Sequence, residues 1–145
     1  VFVAGFIGTP QMNFFDAKLV KDGSGYYVDY AGTRVNLAKD IQDGLAAKGR
    51  ESMDVILGCR PEHLILKHSA GEGTVTAHVD VSEMMGSEVH LHVVAGEKEV
   101  VLRIPSTDLP AQHRAGIPFG AEVNFTFPEA LVHLFDPSTE KNLLD

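Results

Sequence analysis

Three histidines occupy positions from which their imidazoles could approach one another on predicted strands. His90 and His92 are two residues apart on one strand, and His78 lies on the polar face of another. Side chains at i and i+2 of a strand point to the same face, so such a pair can share a metal ion. No carboxylate or cysteine stands at a fixed spacing that would complete a ligand set. We therefore interpret the histidines as solvent-facing or interface residues and predict no metal site.

The carboxylates Asp80, Glu83 and Glu88 lie in the same part of the chain and are candidates for acid–base work. Nothing in the sequence places them around a pocket. We interpret them as solvated charges on strand edges, which also discourage pairing between sheets of different molecules. The adjacent Met84 and Met85 are interpreted as core filler at a turn rather than as a soft-metal site.

The motifs that usually mark an enzyme are missing from the sequence. It has no G-x-x-x-x-G-K-[ST] loop to hold a nucleotide phosphate, no G-x-G-x-x-G after a strand, no H-E-x-x-H and no paired cysteines. Ser87 follows a glycine but lacks the G-x-S-x-G frame that presents a nucleophile. We predict no catalytic, cofactor-binding or metal-binding residue in this chain.

A polar bend between two short apolar runs organises the middle of the chain. Residues 55–57 and 64–66 are branched and apolar, and Pro61 lies between them. Proline lacks a backbone donor and biases Arg60 towards an extended conformation, so the segment predicts a bend. Arg60 and Glu62 can then point to one side. We interpret Arg60, Pro61 and Glu62 as a structural corner with an ion pair; a ligand-gripping role is the alternative.

Composition limits the kinds of protein this chain can be. Its 145 residues are enough for one domain or two very small ones, and the net charge of −8 makes nucleic-acid phosphate an unsuitable partner. No apolar run approaches the ~20 residues that a membrane span requires. The single Cys59 cannot form an internal disulfide, which fits a reducing compartment. Because the chain begins Val-Phe-Val without an initiator Met, we expect it to be a piece whose missing part lies upstream.

The hydrophobic pattern predicts many short antiparallel strands. Residues 74–82 alternate most regularly, with Val75, Ala77, Val79 and Val81 predicted to face the core. Further strands are predicted at 14–21, 26–30, 33–37, 88–93, 100–104 and 122–127. Helical spacing occurs at 2–7, before Gly8 and Pro10, and at 38–48, where Gly49 is a plausible stop. The pattern indicates an all-β barrel or sandwich with two short helices.

The register of one hairpin can be predicted. If Gly96 and Glu97 form a two-residue loop, Ala95 lies opposite Lys98. The pairs that follow are apolar on one face: Val93 with Val100, Leu91 with Leu102, and Val89 with Ile104. A shift by one residue would place each apolar side chain opposite a polar one, so this register is expected.

Four separated stretches, 2–14, 58–64, 81–88 and 133–139, form one pattern. In this order and spacing they resemble the C-terminal regulatory region, which carries the TOBE segment, of ATPase subunits from ABC importers of the maltose, sugar and glycerol-phosphate type. The motif residues that carry the resemblance include Gly86, Ser87, His133, Leu134, Phe135 and Asp136. The sequence departs from the family at Cys59, where a branched apolar residue is expected, and at Met84–Met85, where Pro-Leu is common.

The resemblance implies an all-β fold of oligonucleotide-binding-like (OB-fold-like) barrels of the MOP/TOBE kind. Residues 1–13 would be the tail of a helix and a linker from a missing ATPase domain, and residues 14–145 the regulatory region, in two interleaved lobes divided near 50–60. It implies a non-catalytic regulatory and dimerisation role, with ATP and magnesium bound upstream. The implied partners are a second copy of itself (a homodimer), the upstream ATPase domain, permease subunits through that domain, and an inhibitory regulatory protein. The implied location is the cytoplasmic face of the cell membrane.

Three other functions remain open at this point. Relatives with a similar barrel bind molybdate or other oxyanions, which makes a small-ligand or oxyanion-binding barrel the main alternative. The excess of acidic over basic residues does not favour a site that binds anions. A nucleic-acid-binding barrel lacks the expected basic and aromatic residues, and a hydrolase lacks a nucleophile–base pair.

Overall fold

The computed structural model describes residues 12–23, 25–67, 69–109, 111–113 and 116–145. The chain folds into two compact units. One contains the described residues up to Arg60 and again Phe127–Asp145, and the other contains the described residues of Pro61–Thr126. The helix predicted at 2–7 lies outside the described residues.

The first unit is built on a five-stranded antiparallel sheet and one helix. Its elements are β1 (Asn13–Asp22), β2 (Gly25–Tyr30), β3 (Thr33–Asn36), α1 (Lys39–Ala47), β4 (Met53–Cys59) and β10 (His133–Phe135). The strand order in the sheet is β10-β4-β1-β2-β3. The core contains Phe15, Leu19, Val28 and Leu57, all buried.

Helix α1 confirms the prediction made for 38–48. Its buried residues Ile41 and Leu45 are four apart and therefore lie on one face. Gly49 ends the helix with a φ of +66°, a left-handed conformation that glycine adopts without a steric penalty. The Gly49 amide donates to the Ala46 carbonyl, and the next amide donates to the Leu45 carbonyl, so the last turn is satisfied.

The second unit is a five-stranded antiparallel sheet. Its strands are β5 (Ile65–Lys67), β6 (Val75–Met84), β7 (Glu88–Ala95), β8 (Lys98–Pro105) and β9 (Glu122–Thr126), and short 3-10 turns lie at Pro61–His63, Ser106–Asp108 and Ala111–His113. The strand order in the sheet is β5-β9-β6-β7-β8. The β7–β8 pairing has the predicted register throughout, from Ala95 opposite Lys98 to Val89 opposite Ile104. The all-β prediction is confirmed.

The regular alternation predicted for residues 74–82 is wrong beyond Val79. The β6–β7 ladder shifts register between Val79 and Val81, which leaves Asp80 as the extra residue of a β-bulge. An extra residue moves every later side chain to the other face. Val81, predicted to be buried, is therefore 47% exposed, while Ser82 lies opposite the buried Leu91.

The prediction that Met84 and Met85 fill the core is also wrong. Their exposed fractions are 45% and 53%. Met84 lies opposite the buried Val89 in the last pair of the β6–β7 ladder, and Met85 follows it in the turn, so both lie at the margin of the apolar layer and remain half exposed.

Candidate functional site

The predicted corner is a 3-10 turn at Pro61–His63, with Pro61 buried. Glu62 lies on this turn, and its Oε1 is 3.8 Å from Nη1 of Arg103 on β8. The corner is thus joined to the sheet of the second unit by an ion pair whose partner is far along the chain. The Arg60–Glu62 pair stays a prediction.

Arg103 continues this charged contact to β7. Its Nε donates to Oε2 of Glu88 at 2.7 Å and its Nη2 to Oε1 at 3.0 Å, the forked geometry that guanidinium and carboxylate groups favour. The His90 Nε2 lies 3.1 Å from the same Glu88 oxygen. The hydrogen bond from Arg103 is the largest cause that lowers the pKa of Glu88 to about 2, and the contact with His90 adds to it. Glu88 therefore stays a carboxylate at every physiological pH and is unsuited to proton transfer.

Sequence reasoning missed Arg103, although a signal for it was present. The predicted hairpin register puts Arg103 directly opposite His90, on the polar face of the sheet, and the structure has this pairing. Charged or titratable residues that lie directly opposite one another on antiparallel strands commonly form stabilising pairs.

Gly86 and Ser87 form the turn between β6 and β7. Gly86 has a φ of +79°, which favours glycine at this point. The Ser87 carbonyl accepts a hydrogen bond from the Ser106 amide, and the Gly86 carbonyl accepts one from the Ser106 hydroxyl. Both hydrogen bonds join Ser106 to backbone carbonyl groups of the turn, so the contacts of this motif are structural.

The motif at His133–Phe135 is strand β10, which pairs with β4. Leu134 is buried, while the Phe135 ring packs edge-on against Phe14 with centroids 6.1 Å apart and stacks on His133. Gly58 lies opposite both Phe14 and His133. A side chain at position 58 would collide with these aromatic rings. Glycine at this position therefore allows the rings to pack over β4.

Asp136 follows β10 and organises the next turn. Its Oδ1 accepts hydrogen bonds from the amides of Ser138 at 2.7 Å and Thr139 at 3.2 Å. Aspartate commonly closes a turn in this way. Gly86 and Ser87 belong to the second unit and His133–Asp136 to the first, and each set has a local structural role.

The histidines on β7 contact carboxylates rather than one another. His92 Nε2 lies 2.5 Å from Oε1 of Glu83, and His90 contacts Glu88. Across the part of the chain that the structure describes, no three His, Cys, Asp or Glu side chains are grouped as a metal ion would require.

Two surface depressions among the described residues are lined with carboxylates. One, of about 560 Å³, lies on the sheet of the first unit, where Lys18 sits between Asp29 and Asp54 on the neighbouring strands. The other, of about 370 Å³, lies on the sheet of the second unit. The lining carboxylates are Asp16, Asp29 and Asp54 in the first, and Asp80, Glu83 and Glu99 in the second. Such linings repel anions.

Two family models match the chain, and together they span most of it. Residues 8–64 match the MalK OB fold domain, and residues 57–135 match the TOBE domain. The chain belongs to the MalK OB-fold and TOBE domain family. The resemblance inferred from the four sequence stretches is confirmed.

Curated relatives of this family are ATP-binding proteins of importers. The multiple sugar-binding transport ATP-binding protein MsmK of Streptococcus mutans is 37% identical over 143 residues, covering 96% of this chain and 35% of that protein. The sn-glycerol-3-phosphate import ATP-binding protein UgpC of Burkholderia cenocepacia is 33% identical over 144 residues. The trehalose/maltose import ATP-binding protein MalK of Thermococcus litoralis is 37% identical over 145 residues, with 97% and 36% covered. The chain spans about a third of the length of these relatives.

A solved structure shares the fold. The crystal structure of the cytoplasmic molybdate-binding protein ModG, with molybdate bound, covers 86% of this chain and 96% of its own, with a TM-score of 0.65 and 14% identity. At this identity the likeness concerns the fold alone. No helix within the described residues combines the length and apolar character needed to cross a membrane.

Proposed function

We propose that this chain is the non-catalytic regulatory and dimerisation region of the ATP-binding subunit of an ABC importer for sugars or related solutes. The observation that carries the proposal is the pair of family matches, which run from residue 8 to residue 135. The curated relatives that share these domains bear names of sugar and glycerol-phosphate importers.

The role is mechanical. Two copies of this region hold two ATPase subunits together while the upstream ATPase domains open and close. A holding element must resist deformation, and antiparallel sheets whose neighbouring strands are joined by hydrogen-bond ladders meet that requirement. The Glu62–Arg103–Glu88 contacts support the proposal because they tie the corner turn, β8 and β7 of the second unit together.

The chemistry of the importer lies outside this chain. ATP and magnesium would bind in the ATPase domain upstream, and the permease would be contacted through that domain. The sequence here carries no phosphate-binding loop. An inhibitory regulatory protein is a further proposed partner, and the cytoplasmic face of the membrane is the proposed location.

The ModG likeness supports a second candidate, an oxyanion-binding barrel. The negative charge of this chain argues against an oxyanion-binding site. Both large depressions are lined by three carboxylates each, and the net charge is −8. Titration calorimetry with molybdate and sulfate tests this candidate, and heat of binding that saturates at one or two sites would favour it over the holding role.

Sedimentation equilibrium of the 145-residue chain tests the proposed function. We expect reversible dimers within the range from about 10 µM to about 1 mM, as suits an interface assisted by further domains. We also expect no ATP turnover by the chain alone. A monomer at every concentration, or hydrolysis of ATP, would contradict the proposal. A phosphate-binding lysine in the reading frame upstream of Val1 would support it independently.

A further inference from the structure

The outward face of the second unit's sheet carries a row of three residues, two of them valines. Val81, His92 and Val101 lie opposite one another on β6, β7 and β8, and cross-strand partners share one face of a sheet. We call these three residues the outer row. Their strand neighbours Leu91 and Leu102 point the other way and are buried in the core. Antiparallel sheets usually present polar side chains on the face that meets water, so the valines depart from the usual pattern.

The outer row lies in the depression of about 370 Å³, and the border of this depression is acidic. Glu83 and Glu99 are each two residues from a valine of the row and therefore share its face. Asp80, the extra residue of the bulge, lies next to Val81. All three carboxylates are exposed, and the described residues that line the depression include no lysine or arginine.

Two of these carboxylates are available to another molecule. Glu83 contacts the His92 imidazole. Among the described residues, by contrast, the side chains of Asp80 and Glu99 form no hydrogen bond or ion pair. A cation brought by a partner would thus meet carboxylates that the chain itself does not neutralise.

The acidic depression of the first unit differs in this respect. There Lys18 lies between Asp29 and Asp54 on the neighbouring strands, so the chain supplies its own cation. Of the two depressions, the one in the second unit therefore has the stronger need of a cation from outside. It also places that need beside exposed valine side chains.

The charge of the border limits what can cover the outer row. A second copy of the same face would set Asp80, Glu83 and Glu99 against carboxylates, and like charges repel. Nucleic acid and anionic lipid are repelled for the same reason. A small inorganic cation would leave the valines exposed to water. The molecule that covers the row must therefore carry both positive charge and an apolar group.

We propose that the outer row docks a segment of another protein in which lysine or arginine side chains flank an apolar side chain. The apolar side chain lies against Val81 and Val101, and the cations meet the carboxylates of the border. Complementary charge selects the partner and speeds its approach, and burial of apolar surface adds affinity. The inference goes beyond the proposed function, because it needs no self-association and assigns a face to a partner other than a second copy.

Peptide titration followed by amide NMR tests the proposal on the 145-residue chain. The probe is acetyl-Lys-Leu-Leu-Lys-amide, added up to about 5 mM because a short segment binds weakly. We expect amide shifts concentrated at residues 80–83, 92 and 99–101. The matched peptides acetyl-Glu-Leu-Leu-Glu-amide and acetyl-Lys-Ser-Ser-Lys-amide should bind at least about fivefold more weakly. Shifts centred on the first unit, or equal binding of either matched peptide, would overturn the proposal.

Two double substitutions compare equal losses of charge. Glu83→Gln with Glu99→Gln removes two carboxylates from the border of the outer row, and Asp16→Asn with Asp54→Asn removes two from the depression of the first unit. The first pair should weaken binding of the lysine–leucine peptide by about threefold to tenfold, as expected for two exposed ion pairs. The second pair should change it by less than about twofold. Equal weakening by both pairs would show that net charge alone matters and would overturn the assigned face.

Val81→Thr tests the apolar part of the contact. Threonine keeps the branched shape that suits a strand and replaces one methyl group by a hydroxyl. We expect binding of the same peptide to weaken by about threefold or more. Ile65→Thr changes an exposed apolar residue on β5, away from the outer row, and should leave binding within about 1.5-fold. Wild-type affinity in Val81→Thr, with melting by circular dichroism unchanged, would overturn the proposal; if the variant melts early, the charge substitutions decide.

Concentration of the chain without peptide separates a second copy from a different partner. Between about 10 µM and about 1 mM, the signals of the outer row should stay in place. If they shift on concentration alone, a second copy covers the row, which overturns this proposal and supports the proposed dimerisation. If the chain stays monomeric and still binds the lysine–leucine peptide at the outer row, the docking face is supported and the proposed dimerisation fails.

Discussion

Replacing Gly58 with alanine places a methyl group where the structure leaves no room for one. A Cβ at this position would lie 2.6 Å from Met12 Sδ and 3.0 Å from Phe135 Cε2. Real Cβ contacts are longer than this, so both neighbours must move. The Met12 side chain is flexible and can give way, whereas the Phe135 ring is held by Phe14 and His133.

The expected loss of stability combines two opposing effects. Overpacking a tight site typically costs about 1–3 kcal/mol. Replacing glycine by alanine restricts the unfolded chain, which returns about 0.4–1 kcal/mol where the backbone conformation is compatible. Gly58 has no left-handed φ, so this gain applies. The net prediction is a loss of up to about 2.6 kcal/mol in the free energy of unfolding, with a central value of about 1.3 kcal/mol.

Urea denaturation measures this loss, since the midpoint shifts with stability while the slope reports the exposed surface. Gly71→Ala is the matched control, because no atom lies within 4 Å of its Cβ position and its φ is also not left-handed. We expect the control to be stabilised by up to about 1 kcal/mol. Adding Met12→Ala to Gly58→Ala should recover part of the loss, as expected for residues in contact. If Gly58→Ala proves as stable as Gly71→Ala, the side chains over β4 leave room for a methyl group and the predicted collision does not occur.

Two further predictions concern the second unit. The pKa of Glu88, lowered to about 2, means that its contribution to stability is complete above the usual value of 4.5 and is lost as the pH falls towards 2. Arg103→Gln should therefore raise the pKa of Glu88, measured by NMR titration, and reduce the stability that is lost between pH 4.5 and about 2. An unchanged pKa would show that Arg103 is not the cause of the lowering. Ser82→Ala leaves the Ile117 amide and carbonyl without their partner and should cost about 1–2 kcal/mol. Hydrogen exchange at the Ile117 amide should accelerate in this variant and not in Ser69→Ala, whose side chain is exposed, and equal exchange in both would contradict the role given to Ser82.

Local sequence patterns were sufficient to predict the structure where residues close together in the chain determine it. The β7–β8 hairpin is an example, since a two-residue loop and three apolar pairs permit one register. Helix α1 is another, because Ile41 and Leu45 define its buried face and Gly49 its end. Both were predicted correctly from the residues alone.

The bulge at Asp80 could not be predicted in this way. At the bulge, two hydrogen bonds join Val79 to Gly120 and Ala121, about forty residues later in the chain, and such distant partners leave no local signal in the sequence. The segment 79–82 keeps a regular alternating pattern in sequence, so the face of Val81 was assigned wrongly. Met84 and Met85 were misassigned for a related reason, because hydrophobic residue types do not reveal where the covering layer ends.

The sequence by itself determined the all-β class, the family, and the positions of most strands, since these depend on periodicity, turn residues and separated motifs. Tertiary structure alone decided which carboxylate Arg103 binds, which face Val81 occupies, and which apolar residues remain exposed. The physical reason is that these features depend on contacts between segments far apart in the chain. Residue types limit which contacts are possible, and only the folded arrangement selects among them.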